Sequence, residues 1–143
     1  MRVRDLLHRD GQQLRLSLAP GESGYGPLLR LSDPGRVAPA SILLDLYAAE
    51  LLAGFLMSAR VSAVGELADE ACLGDYPLVM RLGAVGGEIR IELSQGGERL
   101  LLPRLLWDRL YTELQLALAH GRHFARTAPA SGLAPHEQRR LLH

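Results

Sequence analysis

The chain has 143 residues, 48% hydrophobic but only 5% aromatic, so a packed core built mostly from Leu, Val, Ile and Ala is expected. Sixteen basic residues balance sixteen acidic ones, which excludes a strongly basic chain that grips nucleic acid by net charge alone. All sixteen basic residues are Arg, and they are unevenly spread: residues 41–98 hold three Arg against nine acids, and residues 99–143 hold seven against three.

Residues 2–8 (RVRDLLH) are expected to form a first short strand, ended by the turn signal Asp10-Gly11. Leu14, Leu16 and Leu18 then alternate with Arg15, Ser17 and Ala19, the period of a strand with one buried and one wet face. The run PGESGYGP (20–27) is loop chemistry, LLRLS (28–32) is the next strand, and Asp33-Pro34-Gly35 turns the chain before a short strand expected over Arg36–Ala38. Ser41 stands where an N-cap would, which predicts a helix from there to about Arg60. Its apolar residues cover nearly the whole circumference, a pattern that calls for burial on more than one side. Ile42, Leu46, Leu52, Phe55 and Leu56 are therefore expected to form a homo-oligomer interface. The segment is too short and too charged, with Asp45 and Glu50, for a membrane span.

VSAVGELA (61–68) is expected to open the second half as a strand, with DEACLGD following as an acidic turn. Tyr76–Leu82 and Glu88–Ser94 alternate strictly, the first turning through Gly83–Gly87 and the second through Gln95–Gly97. Arg99–Leu102 gives a short strand. Pro103 stands at or near the first position of a helix running to about Phe124, amphipathic through Leu106, Leu110, Leu114 and Leu118. Residues 127–143 read as a linker and a flexible or docking tail.

The two halves match. An Arg stands between two apolar residues in four strands: Leu14-Arg15-Leu16, Leu29-Arg30-Leu31, Met80-Arg81-Leu82 and Ile89-Arg90-Ile91. The expected fold is α+β: tandem β-β-β-β-α repeats over about 2–60 and 61–126, forming one duplicated domain (1–126). Its antiparallel meander sheets are packed by two long helices. This arrangement resembles the Whirly family and its relatives, the PUR repeats and the positive-cofactor-type single-strand-binding domains. The most family-like stretch is EIRIELSQGGERLLLPRLLWDRLYTELQLALAH, and QLRLSLAPGESGYGPLLRLS resembles the hairpin of a PUR-type repeat. The resemblance implies binding of single-stranded DNA or RNA on curved sheets, with helices packing the protein together.

On that expectation the binding residues are Arg15, Arg30, Arg81 and Arg90 on the solvent faces of two sheets, with Tyr25 and Tyr76 near strand ends. Arg forks grip phosphates and their planes stack on unpaired bases. The competing reading is that these Arg only solvate an open face, pairing with Glu88, Glu92 or Glu98. No nucleotide-binding glycine loop, nucleophile elbow or zinc-protease motif occurs. His120 and His123 lack a third ligand at a known spacing, and the lone Cys72 excludes an intrachain disulfide and an all-cysteine zinc site. No catalytic residue, metal or cofactor is expected. A cytoplasmic location is expected from the single cysteine and from an N-terminal stretch with no apolar core of signal-peptide length. The alternative function is a small dimeric adaptor or secretion-type chaperone that binds a protein partner.

Overall fold

The computed structural model describes residues 3–7, 11–19, 28–62 and 66–127. Four strands, β1 (Val3–Leu7), β2 (Gln13–Ala19), β3 (Leu28–Ser32) and β4 (Ser41–Leu44), form one antiparallel sheet in chain order. Helix α1 (Leu46–Val61) follows. Strands β5 (Glu70–Cys72), β6 (Leu78–Val85), β7 (Glu88–Gln95) and β8 (Glu98–Pro103) form a second antiparallel sheet, again in chain order. A 3-10 turn (Arg104–Leu106) then leads into α2 (Trp107–Thr127). The fold is α+β, with two meander sheets and two helices.

Period two decides what each strand buries. In the first sheet Leu6, Leu14, Leu16, Leu29, Leu31, Ile42 and Leu44 point inward; in the second, Leu78, Met80, Ile91, Leu93, Leu100 and Leu102 do. These side chains form a single hydrophobic cluster with Ala48, Leu52, Phe55 and Leu56 of α1 and Leu106, Trp107, Leu110, Leu114 and Leu118 of α2. Among the described residues no charged or polar residue is buried. The single Trp satisfies its ring N–H by donating to the Leu102 carbonyl at 2.9 Å.

Hairpin β6–β7 turns on Gly86 (φ 61°) and Gly87 (φ 81°). Both residues sit in the left-handed region that a two-residue turn of this hand requires and that side chains resist. Gly83 and Ala84 belong to β6 rather than to the turn.

The structure corrects several expectations. Ser41 does not cap a helix. Ser41–Leu44 pairs with β3 as an edge strand, burying Ile42 and Leu44, and the helix starts after Asp45. The Asp45 carboxylate accepts the Ala48 N–H at 2.7 Å, satisfying one of the orphan donors of the first turn. Residues 36–38 are turn, not strand, because the chain needs them to reverse between β3 and β4. The opening strand of the second sheet is Glu70–Cys72, inside the stretch expected as an acidic turn; Val61 ends α1 instead. Residues 63–65 lie outside the described residues.

Helix α1 is also not apolar all round. Ile42, Leu52, Phe55 and Leu56 are buried in the core of a single chain and Leu46 is partly buried against it. Side chains already packed against both sheets and α2 cannot at the same time form an oligomer interface.

The two halves are joined by more than apolar contact. Strand β4 leaves one edge unpaired, and Gln95 at the end of β7 covers it: its side-chain amide donates to the Leu43 carbonyl at 2.7 Å and accepts the Leu43 N–H at 2.8 Å. A side-chain amide thus replaces a missing strand at the edge. Helix α2 reaches back to the first sheet, where Arg109 donates to the Leu7 carbonyl and Glu113 pairs with Arg4 at 3.6 Å. Arg60 and Asp108 tie the end of α1 to the start of α2 at 3.0 Å. No described helix is long and apolar enough to cross a membrane.

Candidate nucleic-acid interface

All four Arg expected at the interface lie on outward faces, because each separates two inward apolar residues on its strand. In the first sheet Val3, Ser17, Arg30 and Leu43 stand in one cross-strand row, and Asp5, Arg15, Ser32 and Ser41 in the next. Arg15 and Arg30 are therefore diagonal neighbours on adjacent strands of one face, roughly 7–8 Å apart at the backbone. In the second sheet Arg81 stands opposite Glu92, and Arg90 opposite Gly83, so these two Arg are diagonal neighbours as well. The four thus come together as two pairs, one per sheet.

The two pairs differ in electrostatics. On the second sheet Arg81 donates to Asp69 at 3.0 Å and Arg90 to Glu88 at 3.0 Å. Arg99, one strand over, donates to Glu92 at 2.7 Å. Every outward Arg of that face meets an acid. On the first sheet Arg15 holds Asp5 with a two-point contact, 2.7 Å from Nε and 3.3 Å from a terminal nitrogen. The hydrogen bond from Arg15, with its charge, holds the Asp5 carboxyl below the ordinary carboxylate range despite slight desolvation, and Arg15 is raised in turn. Arg30 is exposed and has no acidic partner among the described residues. Arg36, exposed in the β3–β4 turn, has none either.

The surroundings of Arg30 are mixed. Val3 and Leu7 are half exposed on the same outward face, at 51% and 58%, and Ser17 and Leu43 flank Arg30 in its row.

Of the two aromatic candidates, Tyr76 lies in the bend before β6, half buried and off the sheet face. Tyr25 lies outside the described residues. The acids that take Arg15 and Arg81 were not singled out from the sequence. Asp5 and Asp69 sit ten and twelve residues away along the chain, and only strand pairing brings them near. Glu88 was legible, two residues before Arg90 on the same strand face. Glu92 was also expected as a partner, but it takes Arg99.

Elsewhere the chemistry is plain. Among the described residues no group of three His, Cys, Asp or Glu could hold a metal ion. Cys72 is buried, and desolvation, followed by the negative charge of Asp45, pushes its thiol up, away from a reactive thiolate. A groove of about 260 Å³ between β2, β3 and α2 is lined by Leu18, Leu29, Leu116 and Ala117, with the Arg4–Glu113 pair and His120 also lining it. No family model and no curated protein matches the chain.

Proposed function

We propose that this chain is a non-catalytic, cytoplasmic, Whirly-like protein that binds single-stranded nucleic acid, and that the outward face of its first sheet does the binding. The two β-β-β-β-α halves are on this reading a duplication, of which the first has kept an open face. The observation that carries the reading is Arg30: exposed, without an acidic partner among the described residues, and diagonal to Arg15 on one face. Guanidinium groups in that position grip phosphates, while Val3, Leu7 and Leu43 offer apolar surface to bases. With Arg30 as the uncompensated phosphate contact, the logarithm of affinity should fall with the logarithm of salt with a slope of about −0.7 for a single strand, steepening toward about −1.4 where phosphate displaces Asp5 from Arg15.

The test is fluorescence anisotropy with a labelled single-stranded oligonucleotide across a salt series. Binding that weakens as salt rises, and that Arg30→Glu removes while Arg90→Glu leaves it, is the expected result. No binding at low salt, or equal loss in both variants, overturns the assignment to the first sheet.

A second reading, a protein-binding adaptor, is favoured by one observation: the second sheet neutralises each of its outward Arg with an acid. A surface of paired charges suits a partner that needs no counterion release. Failure of the oligonucleotide to bind at any salt turns the interpretation to that partner.

A further inference from the structure

The connection between β3 and β4 differs from its counterpart in the second half, and it carries a second uncompensated Arg. Strands β7 and β8 are joined by Gly96 and Gly97, a turn with no side chain to offer a ligand. Strands β3 and β4 are joined by residues 33–40 (DPGRVAPA), longer than the roughly 2–5 residues usual for a hairpin. Resting on the reading of the first sheet as a nucleic-acid surface, we infer that this turn extends that surface. Arg36 is then a further phosphate contact, and the bound strand runs from Arg30 past Arg15 to Arg36.

The turn holds Arg36 out at a defined place. Its base is closed by the Asp33 N–H, which donates to the Ala40 carbonyl at 3.3 Å. The Asp33 carboxylate accepts the Gly35 N–H at 3.1 Å, so the nearest acid along the chain is turned to the backbone rather than to Arg36. Pro34 and Pro39 fix φ on either side. Residues 35–39 are exposed. A side chain carried on a stiffened turn loses less freedom on binding than one on a free loop.

Register sets the position. On the outward face Arg30 stands in the row of Ser17, Arg15 in the next row opposite Ser32, and Gln13 in the row after that opposite Leu7. Successive rows lie about 6.8 Å apart. Gly35 rests on the Gln13 side chain, for a Cβ built there would come within 2.8 Å of Gln13 Nε2. The turn therefore meets the outward face at the third row. Arg36 is the next residue, its Cα about 3.8 Å further along the backbone. The two Arg without acidic partners among the described residues thus stand at the ends of a line of about 14 Å. That span suits a chain of linked phosphates, with Arg15 between.

A salt series with a labelled single-stranded oligonucleotide tests this. Arg36→Gln should lower affinity by a factor of about two to five and make the salt slope shallower by about 0.7. Arg36→Lys should keep most of both, because a phosphate accepts either cation. Arg104→Gln controls for net charge: Arg104 is exposed and has no acidic partner among the described residues, but it follows β8 of the second sheet. That variant should leave affinity and slope unchanged. No binding by the parent chain overturns the first-sheet reading and this inference together. Binding that Arg30→Glu removes but Arg36→Gln leaves unchanged, or equal losses in Arg36→Gln and Arg104→Gln, overturns this inference alone.

Discussion

The two halves of the molecule use the same strand pattern toward different surfaces. Each places two Arg diagonally on an outward face, yet the second sheet pairs every outward Arg with an acid, whereas the first pairs Arg15 and leaves Arg30 without an acidic partner among the described residues. Each sheet also feeds its helix differently. Asp45 caps α1 with its side chain, whereas the second half enters α2 through Pro103 and a 3-10 turn with no side-chain cap at Pro103. The lesson is that period two fixes which way an Arg points but not whether its charge is available. Availability depends on which strand lies alongside.

The comparison can be broken at several places. The largest effect is expected at Phe55, where α1 enters the shared core. Phe55→Ala should cost about 3–5 kcal/mol. Because one cluster joins both halves, the fluorescence of Trp107, in the second half, should change in the same denaturation transition as the overall helical signal. Two separate transitions would show that the halves fold independently. Next comes the link at β4. Gln95→Leu strips both hydrogen bonds from Leu43 and should cost about 1–3 kcal/mol by chemical denaturation. A cost near zero would mean that water replaces the amide and that Gln95 does not join the halves.

Smaller effects sharpen the contrast of helix entries. Asp45→Ala should cost about 1 kcal/mol, and Asp45→Asn should recover most of it, because asparagine caps nearly as well. Equal losses in the two variants would instead point to the charge. The smallest effect is at Asp5. With its folded pKa held below the ordinary value by Arg15, the pair contributes stability that is present above the unfolded carboxylate pKa. That contribution is lost as pH falls through the lower folded value. Both side chains are solvent-exposed, so the readout is an NMR titration of the Asp5 carboxyl. A lowered midpoint that returns to ordinary in Arg15→Gln is expected; no change would mean the contact does not persist in solution.

Much of the fold was legible in the chain. Alternation over 14–19, 76–82 and 88–94 predicted strands whose inward Leu14, Leu16, Leu78, Met80, Ile91 and Leu93 are buried and whose Leu18, Leu82 and Ile89 are partly buried. The spacing of Leu106, Leu110, Leu114 and Leu118 predicted the buried face of α2 in the same way. The stretch Ser41–Leu44 was not legible, because four consecutive residues with three apolar ones suit a buried helix turn and an edge strand equally. Pairing with β3 and the cap at Asp45 decide between them. The strand at Glu70–Cys72 was hidden for a similar reason. Three residues are too few to show a period, and their acidic neighbours read as turn.

The candidate interface divides along the same line. That Arg15, Arg30, Arg81 and Arg90 face outward follows from their immediate neighbours on each strand, and the sequence determined it alone. Which Arg are neutralised, which side of α1 is buried, and how β4 is covered were decided only by tertiary structure. The physical reason is one of distance along the chain. Periodicity is set between residues two to four apart, whereas the ion pairs of Arg15 and Arg81 and the bond from Gln95 to Leu43 join residues 10, 12 and 52 apart. Those contacts exist only once the strands have found their neighbours.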